Sequence, residues 1–238
     1  MENGTQGTQS RPLLASIPHT IFLSVLVVVL VPMANWLRML VDFRRPLTLS
    51  EESAVALVLR WSLVGLTWFG TAVRGHGLRE LLGRTWKSVQ DVRNDFRFAS
   101  IVVLFLLLST FFANLLGPFG TPTTDASRRT SIELILSLFG AVSAGITEEL
   151  IFRGYLLRQF RVLARSDEIG LVSQAVLFSL AHGSGQTFAG VLHKFLAGYF
   201  LGWSAIRRNS LVPGIIAQCS FNDFATMLLY LFPHTPHL

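Results

Sequence analysis

The feature that most constrains this chain is a succession of apolar stretches, most of them close to twenty residues. They lie near 19–41, 54–73, 98–117, 131–152, 169–183, 187–206 and 211–232. A helix needs ~20 residues to cross the hydrocarbon core of a bilayer, where every backbone polar group must be satisfied internally. The chain is 51% hydrophobic and only 14% charged, far from the balance of a soluble domain. The expectation is therefore an all-α, polytopic transmembrane helix bundle of about seven spans. Segment 76–92 carries Leu78, Leu81, Leu82, Trp86 and Val89 among basic residues, a pattern that suits a helix lying at the membrane interface. If it dips into the bilayer, the count becomes eight.

A net charge of +6 invites a nucleic-acid partner, but the positions of the basic residues argue against one. Arg74, Arg79, Arg84, Lys87, Arg93 and Arg97 fall between the second and third stretches. Arg158, Arg161 and Arg165 follow the fourth, and Arg207 and Arg208 follow the sixth. With seven spans these groups share one face, which the excess of Lys and Arg assigns to the cytoplasm. The opposite face receives mainly Arg44, Arg45, Arg128 and Arg129. The expected arrangement is a cytoplasmic N-terminus in a bacterial-type cytoplasmic membrane, with the bilayer as partner and no nucleic acid.

Four regions follow. Residues 1–16 are polar and read as a disordered cytoplasmic segment, and 17–130 hold the N-terminal spans with the interfacial segment and a polar loop over 118–130. Residues 131–232 form a core that contains nearly all the unusual intramembrane polar groups, and 233–238 are a tail. The first span runs past Pro32 to Leu40 with no small-residue cleavage site after it, so it reads as a retained anchor. Cys219 is the sole cysteine, which excludes a disulfide framework and a cysteine metal cluster.

The polar groups of the core fall into four sets. Glu148 and Glu149 are adjacent acids in an apolar helix, and Arg153 stands four residues after Glu149, one turn away. Glu149 thus reads as paired, and Glu148, rotated about 100° around the helix, reads as free to act. Phe178 and His182 share a helix face. Gly198 and Gly202, preceded by Phe195, make a small-residue face for close helix approach. Gln218 and Asn222 also share a face. A carboxylate, an imidazole and two amides from separate spans are what peptide-bond hydrolysis within a membrane would require. Glu148 would act as general base on water, His182 would orient that water or bind a metal, and Gln218 and Asn222 would donate to the oxyanion.

At these residues the chain resembles the CaaX protease and bacteriocin-processing (CPBP) family of intramembrane proteases, which includes the type II CaaX prenyl endopeptidases. The family's EExxxR motif stands here as Glu148, Glu149 and Arg153, and its FxxxH motif as Phe178 and His182. The Gly-spaced helix is Phe195, Gly198 and Gly202. The resemblance covers roughly residues 131–225. It implies an intramembrane endopeptidase acting on a peptide or protein substrate at the membrane, a lipidated CaaX-like end being one option. The fourth motif, HxxxN or HxxxD, departs from the pattern: Gln218 stands where the family has His, while Asn222 matches. Glutamine keeps a hydrogen-bond donor but is a poor metal ligand, so a zinc site on Glu148 and His182 is put in doubt and a metal-independent glutamate protease is favoured.

Other readings stand beside this one. A weakened or inactive relative would keep the bundle as a binding or immunity module, and a small proton-coupled transporter would also need intramembrane acids. His193 matches no family position but could supply a substitute imidazole. Asp223 could pair with Lys194 or face a wet cavity. Arg60 reads as a residue that snorkels to the interface.

Overall fold

The structure is a computed structural model that describes residues 12–41, 49–117, 130–182 and 187–232. It is helical throughout, with no strand among the described residues beyond an isolated bridge between Gly83 and Ser210. The elements are α1 (Ile17–Val41), α2 (Leu49–Ala72), α3 (Leu78–Leu82), α4 (Val89–Leu116) and α5 (Ser131–Glu148). A π-helical segment (Glu149–Leu156) and α6 (Leu157–Ala164) continue α5 without a break, and α7 (Asp167–Leu180), α8 (Phe188–Arg208) and α9 (Val212–Leu231) complete the chain. The all-α membrane bundle expected from the sequence is what forms.

Among the described residues, three helical stretches are both long and apolar enough to cross a membrane: Ser53–Ala72, Val89–Leu116 and Ser131–Ala164. Helices α8 and α9 have 21 and 20 residues, but polar side chains such as Lys194 and Asn222 interrupt their apolar runs. Helix α7 has 14 residues, about 21 Å at 1.5 Å per residue, short of a ~30 Å hydrocarbon core. The outer surface is apolar, with Val58, Phe139 and Leu115 each more than 60% exposed. The interior holds sealed polar groups, among them Thr67, Glu149, Gln159, Gln174 and Ser204 at 0% exposure. Apolar outside and polar inside suits lipid as the solvent.

Local chemistry sets the helix starts. Ser88 caps α4 by accepting from the Asp91 N–H (3.1 Å), and Ser166 caps α7 by accepting from Ile169 (3.2 Å). Thr130 and Glu133 form a reciprocal capping box at α5, with Thr130 N–H donating to Glu133 Oε2 at 2.7 Å. Pro213 in the first turn of α9 costs no hydrogen bond, because N–H groups there lack intrahelical partners anyway. Helix α5 packs on α9 and α2, α7 on α8 and α6, and α4 on both α8 and α9. At the α4–α8 contact Phe105 stacks on Phe200 with ring centroids 4.4 Å apart.

Two expectations need correction. The 76–92 segment is not one interfacial helix. Leu78–Leu82 is helical; Gly83 then adopts φ +71°, and the chain turns to pair with 209–211 before a second helix, α4, takes over at Val89. The cause is packing: a Cβ at Gly83 would meet the Asn209 carbonyl at 2.5 Å, so the close approach of the two turns excludes a side chain there. The helix of the fourth apolar stretch does not end at 152, because the π-helical segment and α6 carry it on to Ala164.

The basic groups assigned to one face do meet, but they are not merely solvated. Arg84 and Arg208 both contact Asp95, which is 0% exposed, at 2.8 and 2.6 Å, and Trp86 donates its indole N–H to the same carboxylate (3.0 Å). Arg158 donates to the Glu80 and Leu81 carbonyls at 2.7 and 3.1 Å. In α3 the Glu80 carboxyl is held below its ordinary range, first by the hydrogen bond from His76 and then by the Gly77 N–H. The turns after α2, α6 and α8 therefore lie together at one end of the bundle. Residues 1–11 of the expected N-terminal segment, Arg44, Arg45, most of the 118–130 loop with Arg128 and Arg129, and the 233–238 tail lie outside the described residues.

Candidate functional site

The adjacent acids divide as their spacing predicts. Glu149 and Arg153 are both 0% exposed at the side chain and form an ion pair of 3.0 Å. The Glu149 carboxylate presses on the first turn of α9, occupying the space that a Cβ on Gly214 would need. That is the positive end of a helix, where a carboxylate is stabilised. The Arg153 guanidinium lies 4.2 Å from the centroid of the Phe178 ring. A sealed acid, its cation and an aromatic face thus join the π-helical segment to α7 and α9.

Glu148, one residue earlier, is half-buried and faces a different space. A cavity of about 250 Å³ is lined by Glu148, His182, Gln218 and Asn222 together, from α5, the end of α7, and α9. The four candidate side chains are brought to one chamber. Gln218 Nε2 donates to Glu148 Oε2 at 2.5 Å, and Asn222 Nδ2 donates to the Ala141 carbonyl at 3.4 Å. His182 Nδ1–H donates to the Phe178 carbonyl at 2.7 Å. A carbonyl can only accept, so in the neutral imidazole Nε2 carries the lone pair. The same Phe178 that faces Arg153 meets the His182 ring edge-on, with centroids 4.6 Å apart.

The supporting glycines act by proximity. A Cβ on Gly198 would lie 3.0 Å from Ala175 Cα and 3.2 Å from Phe178 Cδ1, and one on Gly202 would lie 2.6 Å from Leu171 Cδ1. Both let α8 approach α7 closely enough to fix the Phe178–His182 face. Gly183, Ser184 and Gly185, which follow His182, lie outside the described residues.

Two lining residues, Arg60 and Lys194, were misread in the sequence, while His193, weighed there as a substitute imidazole, does line the cavity. Arg60 does not snorkel to an end: it sits mid-way along α2 and lines the cavity, as do His193 and Lys194 of α8. His193 shares a hydrogen bond with Ser109 Oγ at 2.9 Å. Asp223 is not among the lining residues, and its Oδ1 is buried without a hydrogen-bond partner among the described residues. Of the two options for Asp223, neither a pair with Lys194 nor a place in this cavity is found, and Lys194 lines the Glu148 cavity instead. The one signal for Arg60 and Lys194 was their charge in otherwise apolar helices.

The donor set does not fit zinc. Among the described residues, no three His, Cys, Asp or Glu side chains come together around a common point. One oxygen of Glu148 is already engaged by an amide, and Gln218 and Asn222 offer ligands that zinc seldom takes.

Comparison with known proteins returns one family. Residues 130–224 match the family described as Rce1-like, type II CAAX prenyl endopeptidase Rce1-like. No curated protein and no solved structure matches the chain. The matched segment runs from the cap of α5 into α9 and includes every motif residue named above, while α1–α4 lie outside it. The family is one of membrane proteases, and the apolar helices agree with an integral membrane protein. From the cap of α5 to α9, this chain is similar to the type II CAAX prenyl endopeptidases.

Proposed function

We propose that this chain is an intramembrane endopeptidase in which Glu148 is the general base. The observation that carries the reading is the shared lining of one cavity by Glu148, His182, Gln218 and Asn222, with Glu148 the accessible acid and Glu149 the sealed one. A water in the cavity gives a proton to Glu148 while its oxygen bonds to the scissile carbonyl carbon. His182 Nε2 accepts the second water hydrogen and orients the nucleophile. The carbonyl oxygen takes the developing charge and is met by the remaining N–H of Asn222 and of Gln218. The C–N bond then breaks, and the leaving nitrogen takes the proton from Glu148. The substrate is a peptide segment at the membrane, with a CaaX-like lipidated end one candidate, and the basic end of the bundle faces the cytoplasm.

A second reading, a relative that binds without cutting, is favoured by the Gln218–Glu148 hydrogen bond, which occupies one carboxylate oxygen. Purified protein in liposomes separates the two. A Glu148→Gln variant should lower cleavage of a farnesylated CaaX peptide by about 10²–10⁴-fold, and metal chelators should leave wild-type cleavage within about twofold, the residual left by a site that needs no metal. Equal cleavage by wild type and variant would remove the enzymatic role of Glu148, and abolition by chelators would restore a metal.

A further inference from the structure

The cavity carries more positive than negative charge, and no ion pair among the described residues offsets the excess. Its ionisable walls, apart from the two imidazoles, are one acid, Glu148, and two bases, Arg60 and Lys194. The other acid of the motif, Glu149, is spent on Arg153 outside the cavity. Neither Arg60 nor Lys194 makes an ion pair or a hydrogen bond among the described residues. A cation within a membrane bundle costs at least a few kcal/mol unless it is paired or hydrated. Two cations held open beside one carboxylate form a site for an anion that arrives from elsewhere. With about 250 Å³ shared by all of these groups, an anion bound there lies close to the Glu148 carboxylate.

We propose that Arg60 and Lys194 form a carboxylate-binding subsite that selects peptides with an anionic group close to the scissile bond. The proposal rests on the endopeptidase reading and adds a specificity determinant to it. Arg60 belongs to α2, outside the segment that matches the protease family, so this half of the subsite is supplied by the N-terminal spans. Arg60 brings a planar fork suited to a carboxylate, and Lys194 brings a mobile point charge. The carboxylate can come from a peptide C-terminus or from an Asp or Glu side chain.

The test uses the full chain in liposomes and three farnesylated peptides of one sequence: a free C-terminal acid, its amide, and an amide ending in Asp. The expected result is that the free acid is cleaved with a KM about tenfold or more below that of the plain amide. The Asp-ended amide reports whether a side-chain carboxylate substitutes. In Arg60→Met and Lys194→Met the acid-to-amide ratio should fall toward about one through KM, with kcat less changed, and Arg60→Lys and Lys194→Arg should restore part of it. Equal KM for acid and amide in the wild type would overturn the proposal, as would methionine variants that keep the preference. If the wild type cuts none of the peptides, the endopeptidase reading fails separately. Stabilisation of the Glu148→Gln protein against heat by the free-acid tripeptide Val-Ile-Ser, compared with its amide, then decides the subsite alone. A larger shift with the acid, lost in the Lys194→Met background, supports it, and equal shifts overturn it.

Discussion

At the scale of single residues, two neighbouring glutamates have opposite fates because a helix rotates each residue by about 100°. Glu149 points at Arg153 and the first turn of α9 and is closed off, and Glu148 points at the cavity. Removing one member of a buried pair leaves an uncompensated charge, which costs about 3–5 kcal/mol. Arg153→Ala should therefore lower the thermal midpoint sharply in detergent, and the double variant Glu149→Gln/Arg153→Met should recover much of the loss. An unchanged midpoint in Arg153→Ala would show that the pair is not sealed. This part of the site was legible beforehand, because an i, i+4 acid–base pair in an apolar run needs only helix periodicity to be read. The placement of Lys194 was not, since nothing local says which way a lone lysine faces.

At the scale of elements, contacts between helices set the geometry of the cavity. Gly214 and Gln218 are one turn apart on α9, so the approach of α9 to Glu149 also sets the distance from Gln218 to Glu148. Gly214→Ala would overlap the Glu149 carboxylate and push α9 outward. The expected cost is about 1–3 kcal/mol in stability, with cleavage reduced in parallel. Gly140→Ala serves as the control, because nothing lies within 4 Å of a Cβ there. Similar effects from the two substitutions would mean that α9 is not held by this contact. The small-residue face at Gly198 and Gly202 was visible as spacing, but which helix it met was not. The 76–92 segment shows the opposite failure. Its amphipathic pattern was real, and it was overridden by the pairing of Gly83 with the turn before α9.

At the scale of the whole molecule, three basic turns gather at one end of the bundle, tied through Asp95 and through Arg158. Charge distribution had placed them on a common face before any contact was known. Single cysteines at the exposed positions Arg93, Arg165 and Arg207, in a Cys219→Ser background, should all react with a membrane-impermeant maleimide from the same side. Labelling of one of them from the opposite side would break the arrangement.

The sequence alone determined that the chain is a helical membrane bundle and that Glu148 and Glu149 differ. These follow from local quantities: run length against bilayer thickness, the cost of charge in lipid, and the angular step of a helix. Only the tertiary structure decided that Arg60, His193 and Lys194 join the acid in one chamber and that Asp223 stays out of it. The rotation of each helix about its own axis is set by close packing against its neighbours, and no single segment's periodicity contains that information.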